Sequence, residues 1–159
     1  MERAGEKDVF VLPRGATGFR HISEPELPRT GVEVCRAAWQ AAARAAGGEA
    51  VDFMEHGYPQ SFHSGSLTDD AGPHVAVFHA NYPYVAFVDE RRCAYSDEFL
   101  EPPAWAAALC AAGFTVLGAA VLRAPLDACD TSALGDAEWS QIEYWEPPTL
   151  GALLFNMWD

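Results

Sequence analysis

The sequence predicts an α+β fold: a mixed or antiparallel sheet with about three helices packed on it, in the order β-α-β-β-β-β-α-β-β-α. Residues 73–89 are apolar, rich in β-branched and aromatic side chains, and interrupted at one proline, which indicates two consecutive strands. Neighbouring predicted strands are joined by about five residues, too few for a parallel crossover. Helical patterns flank this run of strands. A chain of 159 residues fits a single globular domain, residues 1–159.

The first half of the chain holds one strand, one helix and then four strands. The helix begins at Thr30, because Thr30-Gly31-Val32-Glu33 fits a capping box, and Gly47-Gly48 ends it. Between these limits apolar residues, including Trp39 as a core anchor, recur at spacings of three and four. The five strands are short apolar or alternating runs bounded by turn residues: Asp8–Leu12, Ala50–Met54, Gln60–Leu67, Val75–Ala80 and Tyr84–Val88.

The second half is predicted to hold a helix, two strands and a last helix. Two prolines lead into a helix over Ala104–Ala112, since proline is tolerated in a first turn. Phe114–Leu122 is apolar on both faces, which indicates a central strand. Glu138–Trp145 alternates in steps of two and is predicted as a strand with one wet side. Thr149 is expected to cap a last helix, Leu150–Trp158.

The net charge of −13 narrows the classes of partner. After Arg123 the sequence holds seven acidic residues and no base. Such a field repels nucleic acid and opposes binding to anionic lipid. It favours a basic protein partner, although acidity that serves only solubility is the alternative. The phosphate-binding patterns G-x-x-x-x-G-K-[ST] and G-x-G-x-x-G are both missing from the sequence. We therefore expect no nucleotide cofactor, and we expect no other cofactor either.

The N-terminal residues, the lengths of the apolar runs and the cysteine spacing indicate the cellular compartment. The first ten residues have no apolar core of a secretory signal, and no run reaches the roughly 18 apolar residues of a membrane span. The four cysteines are widely spaced, without a C-x-x-C pair, and fit reduced thiols. We therefore expect a cytoplasmic protein, and its alanine- and arginine-rich composition is typical of a high-GC bacterial genome.

Four histidines fall within 24 residues, a spacing that raises the question of a metal site: His56, His63, His74 and His79. Imidazole binds zinc and similar metals, but the spacings fit no H-E-x-x-H signature. His74 and His79 differ by an odd number of positions and should face apart on one strand. His63 and His79, from paired strands, could meet on one face and hold a metal. Structural or surface histidines are the alternative.

An acidic and aromatic stretch near the C-terminus is the candidate partner-binding surface. Aromatic anchors rimmed by carboxylates suit recognition of a basic protein, because aromatic side chains dominate interfaces and charges steer the approach. The alternative is that the aromatics face the core and the glutamates are merely solvated. The candidate residues are Glu138, Trp139, Glu143, Tyr144, Trp145 and Glu146.

Residues 144–159 have the pattern YWxPxTLGxxxFNxWD. They begin with Tyr144-Trp145 and end with Phe155-Asn156-Met157-Trp158-Asp159. This pattern resembles the endings of small uncharacterised actinobacterial proteins. The resemblance covers about a tenth of the chain, from residue 144 onwards. It implies no activity and no functional residue.

Three functions remain open from the sequence. The first is a small acidic protein-binding module that covers a basic surface of a partner, an inhibitor or immunity-type protein being one concrete form. The second is a metal-binding or hydrolytic enzyme that uses His63 and His79, with catalytic residues unknown. The third is a homodimer held together by the exposed aromatics.

Overall fold

A six-stranded mixed sheet organises the protein, whose computed structural model describes residues 9–158. Strands β1 to β5 follow one another in space as in sequence, each antiparallel to the next. The last strand, β6, is parallel to β4 and shares its outer edge with β5. The strands are β1 (Glu49–Met54), β2 (Phe62–Asp69), β3 (Gly72–His79), β4 (Tyr84–Val88), β5 (Phe99–Leu100) and β6 (Thr115–Val116). The predicted α+β class with a mixed sheet is confirmed.

Five α-helices and two 3₁₀ turns complete the described part of the chain. The helices are α1 (Val32–Ala46), α2 (Ala107–Ala111), α3 (Ala119–Leu122), α4 (Asp136–Trp145) and α5 (Leu150–Leu154). The 3₁₀ turns cover Ala104–Ala106, which leads into α2, and Leu126–Ala128. None of the helices within residues 9–158 has both the length and the apolar character needed to cross a membrane.

Both faces of the sheet are covered, and this explains the continuous apolar character of β3 and β4. Along β3, Ala76 and Phe78 belong to one core with Trp39 of α1 and Leu109 of α2. The intervening Val77 belongs to a second core, which includes residues of α3, α4 and α5. Strands buried on both sides have no polar face, so their sequence does not alternate.

Strand pairing fixes which side chains share a face. A two-residue turn joins β2 to β3, and Gly72 closes it with a φ of 116°, in the region that favours glycine. The resulting register pairs Phe62 with His79, and His63 with Phe78. Trp39 reaches across from α1 so closely that a β-carbon on Gly65 would lie 2.7 Å from its indole.

The prediction of a strand over Glu138–Trp145 is wrong, because these residues form most of α4. Gly135 precedes the helix as its N-cap, and the Glu138 carboxylate accepts from the Gly135 N–H at 3.2 Å, as in a capping box. Only Glu138 and Ile142 of α4 are buried, one helical turn apart. A helix with so few buried positions gives a weak 3.6-residue signal, and the chance alternation of aromatic and polar residues imitates a strand.

Two further boundaries differ from the predictions. Phe114–Leu122 contains the short strand β6 and then α3, since Gly118 turns the chain into a helix after two ladder residues. The last helix ends at Leu154 instead of Trp158, although Thr149 caps it as predicted, its Oγ1 accepting from the Ala152 N–H at 3.0 Å.

At the N-terminal side, the predicted capping box of α1 does not form. Gly31 is the N-cap, without a side-chain hydrogen bond, while the Thr30 N–H donates to the carbonyl of Ala80 at 2.9 Å. The predicted strand Asp8–Leu12 begins outside the described residues. Its described part makes a single parallel bridge, between Val11 and Asp130.

Candidate functional site

The candidate partner-binding residues all lie on or at the end of α4, but they divide into two groups. Trp139, Glu143, Tyr144, Trp145 and Glu146 are exposed, and we call them the outer surface of α4. The sixth residue, Glu138, points inward. The helix thus separates side chains that a partner can reach from one that it cannot.

Glu138 is a structural residue, so its assignment to the contact surface is wrong. Only 1% of it is exposed. Its carboxylate accepts hydrogen bonds from the N–H groups of Gly15 (2.9 Å), Thr17 (3.1 Å) and Gly135 (3.2 Å), and from the Thr17 hydroxyl (2.7 Å). A buried carboxylate needs such compensation. These bonds fix α4 to the loop that contains residues 15–17.

Two aromatic members of the outer surface, Tyr144 and Trp145, are held in place by neighbouring side chains. The Trp145 indole stacks on Trp158, with ring centroids 6.3 Å apart and an angle of 4° between the planes. Its Nε1–H donates to the Gln141 side chain at 3.0 Å, and Tyr144 packs edge-on against it at 5.1 Å. Tyr144 remains 77% exposed. Large aromatic surface that is already ordered loses little entropy when a partner covers it.

The two outer glutamates stand where the helix disfavours negative charge. Glu143 is in the last turn of α4, and Glu146 is its C-cap. The carboxyl end of a helix carries a partial negative charge, so a cation there is stabilising and a carboxylate is not. The last turn contains no basic residue. The nearest base upstream in sequence, Arg123, donates to the main-chain carbonyls of Asp97 and Phe99.

Glu146 also has an unusual backbone. Its φ of 50° and ψ of 60° place it in the left-handed region, and it is the one non-glycine residue with positive φ among residues 9–158. This conformation costs a side-chain-bearing residue roughly 1–2 kcal/mol, which is why glycine is common at such helix ends. A glutamate here is therefore unfavourable both for its backbone and for its charge.

The two histidines predicted to share a metal do not face each other. In the register of β2 and β3, His63 lies opposite Phe78 and His79 lies opposite Phe62, so the two imidazoles are on opposite faces of the sheet. For His63 and His79 to share a metal, the register would have to shift by one residue, because such a shift moves a side chain to the other face of the sheet. His74 and His79 do face apart, as predicted: His74 packs on Trp105 and His79 on Phe155.

His79 has no nitrogen left for a metal. It is fully buried; its Nε2–H donates to the carbonyl of Ala16 at 2.7 Å, and its Nδ1 accepts from the N–H groups of Asn81 and Tyr82. Burial lowers the pKa of His79 to about 4, which keeps the ring neutral at pH 7. Within residues 9–158 no group of three or more His, Cys, Asp or Glu side chains is arranged to hold a metal ion.

The hydroxyl of Ser64, next to His63 in β2, is a structural group as well. Ser64 is 2% exposed, and its Oγ accepts from the Arg91 Nε–H at 2.7 Å. The His56 Nε2 lies 3.5 Å from the same oxygen, at the limit of a hydrogen bond. Arg91 in turn forms an ion pair with Asp52. The Ser64 hydroxyl accepts a hydrogen bond from Arg91 and is buried, so a substrate cannot reach it as a nucleophile.

Comparison with known proteins found no matching family model, no matching curated protein and no matching solved structure. The candidate site therefore stands on its own geometry.

Proposed function

We propose that this protein is a small acidic protein-binding module, acting in the cytoplasm, whose outer α4 surface covers a basic surface of a partner. An inhibitor of the immunity type is one concrete form of this function. The partner would present arginine or lysine side chains to Glu143 and Glu146, and an apolar or planar surface to Tyr144 and Trp145.

The observation that carries the proposal is the uncompensated negative end of α4. Two carboxylates against the helix dipole forgo roughly 0.3–1 kcal/mol each, and the left-handed Glu146 adds a further cost. Local features that reduce stability persist where function needs them. A cation brought by a partner would relieve the electrostatic cost, since the carboxylates and the helix end attract it together.

The neighbouring aromatics give such a cation a second contact. Arginine stacks on tryptophan and tyrosine faces, with gains of roughly 0.5–2 kcal/mol. Tyr144, Trp145 and Trp139 are exposed by 77%, 40% and 36%, so each offers area to a partner. The same surface disfavours a homodimer through α4, because a second copy would bring its own carboxylates against these.

Site-specific cross-linking tests the proposal. A photo-reactive phenylalanine analogue replaces Tyr144 in one variant and Val51 in another, and both are irradiated in an extract of the source organism. Val51 is 63% exposed and lies in β1, no residue of which belongs to the core that contains α4, so it reports random collisions. We expect the Tyr144 variant to form one dominant adduct with a basic protein, and that adduct to weaken as salt is raised.

Two results contradict the proposal. One is an adduct pattern that is the same for both positions. The other is a dominant adduct at Tyr144 whose partner is acidic or whose yield is indifferent to salt. A dominant adduct with a second copy of this chain would show that α4 makes a homodimer instead.

A further inference from the structure

A cavity of about 330 Å³ opens at the end of the sheet where β2 begins and β3 ends, beside the first turn of α1. Its walls come from residues 17–19, 29–32, 55–61 and 80–81, together with His63. Ligand sites span roughly 300–1,000 Å³, so this cavity suits a small molecule. None of its residues belongs to the outer surface of α4, so a ligand in this cavity would be independent of the proposed function.

His63 brings a side-chain donor to the wall of this cavity. The residue is 6% exposed, and its Nδ1 accepts from the His56 N–H at 3.0 Å. An imidazole that accepts at Nδ1 carries its proton at Nε2 when neutral. Burial lowers the pKa of His63, which favours the neutral ring. No described residue accepts from Nε2–H, so this polar group is left for a ligand.

The first turn of α1 adds uncapped main-chain donors. Gly31 provides no side-chain cap, and residues 30–32 line the cavity. The first N–H groups of a helix lack partners within the helix, and the dipole of this 15-residue helix makes its beginning attractive to anions. The His63 donor and the helix amides therefore serve the same kind of group, a carboxylate or another small anion.

Two charged side chains in the cavity wall restrict the choice further. Arg29 adds a cation and Glu55 a carboxylate, both exposed, and neither makes an ion pair or a hydrogen bond with another described residue. A bare anion would be attracted by Arg29 and repelled by Glu55. A zwitterion satisfies both, because its ammonium group can pair with Glu55.

We infer that this cavity binds a small α-amino carboxylate, that is, a free amino acid or a close analogue. The ligand's carboxylate is held by Arg29, the His63 Nε2–H and the first amides of α1, and its ammonium by Glu55. The Phe19 and Tyr58 rings, 6.5 Å apart, form the apolar part of the wall and receive the ligand's side chain.

Thermal unfolding with the twenty common amino acids, each at about 10 mM, tests this inference, because a ligand that binds only the folded state raises the Tm. Calorimetry then compares each hit with its N-acetyl and its carboxamide derivatives, and with acetate and inorganic phosphate. We expect at least one amino acid to bind. Losing either charged end should weaken binding by about tenfold or more, as for a hydrogen bond to a charged group.

Variants locate the site. His63→Asn keeps an acceptor for the His56 amide but places no donor at the Nε2 position, and Arg29→Gln removes the cation. Both should raise the Kd by about tenfold or more. His63→Gln, which retains a donor near the Nε2 position, should bind more tightly than His63→Asn. Arg44→Gln is the matched control, since Arg44 is exposed in the last turn of the same helix and lines no part of the cavity.

The inference is overturned if none of the twenty amino acids shifts the Tm. It is equally overturned if acetate or phosphate binds as tightly as the best amino acid, or if Arg29→Gln and Arg44→Gln change the Kd alike.

Discussion

Replacing Glu138 with glutamine should unfold the protein far more readily than the same change at Glu143. The Glu138 carboxylate accepts four hydrogen bonds, three of them from main-chain N–H groups. Glutamine has one carbonyl oxygen and an NH₂ group that cannot accept. At least one buried N–H then loses its acceptor, at roughly 1–3 kcal/mol, and the remaining bonds lose their charge assistance.

Together these losses amount to about 3 kcal/mol. For a domain of this size that corresponds to a Tm lower by about 6–12 °C. The assay is urea unfolding followed by tryptophan fluorescence, with the midpoint and slope measured for each variant. Glu143 is exposed on the same helix, so Glu143→Gln should stay within about 0.5 kcal/mol of wild type. Equal losses for the two variants would refute this division of α4 into an inner and an outer side.

Three further predictions concern buried or strained positions. Burial holds the pKa of His79 at about 4, against about 6.5 when unfolded, so only the unfolded chain gains this proton between those values. The free energy of unfolding should therefore fall by up to about 3 kcal/mol as pH drops through that window. Urea titrations at several pH values should show a shallower fall for His79→Gln than for wild type. Parallel plots of the free energy of unfolding against pH for the two proteins would contradict this. Gly65→Ala should cost roughly 1–3 kcal/mol in urea unfolding, because its β-carbon would meet the buried indole of α1 at 2.7 Å, whereas Gly57→Ala meets nothing within 4 Å and should be neutral. Glu146→Gly should raise the Tm by relieving the left-handed backbone, while Glu143→Gly, inside the helix, should lower it.

The fold class could be predicted from the sequence because the central strands have clear local patterns of apolar and turn residues. Tyr84–Val88 has the predicted bounds, since its β-branched and aromatic residues are buried on both faces and turn residues bound it. The first helix was equally clear from its apolar periodicity and its terminal glycines, although its N-cap is Gly31 and not Thr30. In these elements local preference and tertiary packing agree.

The errors arise where long-range contacts decide. Whether Glu138 points inward depends on donors at residues 15–17, about 120 positions earlier in the chain, which no local pattern reveals. Whether His63 and His79 share a face depends on a register that the β2–β3 turn sets. One signal was available for α4: Gly135 followed three residues later by a glutamate fits the beginning of a helix.

The cavity beside α1 had no sequence signature. Arg29 lies in a proline-containing connection, Glu55 follows β1, and His63 lies within β2, so only the fold brings them together. The sequence did single out His63, but as a metal ligand together with His79, which lies on the opposite face of the sheet. The missing side-chain cap of α1 follows from Gly31 being its N-cap, where the sequence pattern indicated Thr30.

The most direct test of the outer α4 surface is the Kd of the cross-linked partner, measured at low and high salt for two charge-matched variants. One neutralises Glu143 and Glu146 by glutamine. The other removes the same charge at Glu49 and Asp70, exposed residues at the start of β1 and in the β2–β3 turn. We predict a Kd about tenfold higher and a weaker salt dependence for the α4 variant alone, as expected when charges at the contact are lost. If both variants change the Kd equally, net charge and not this surface governs binding.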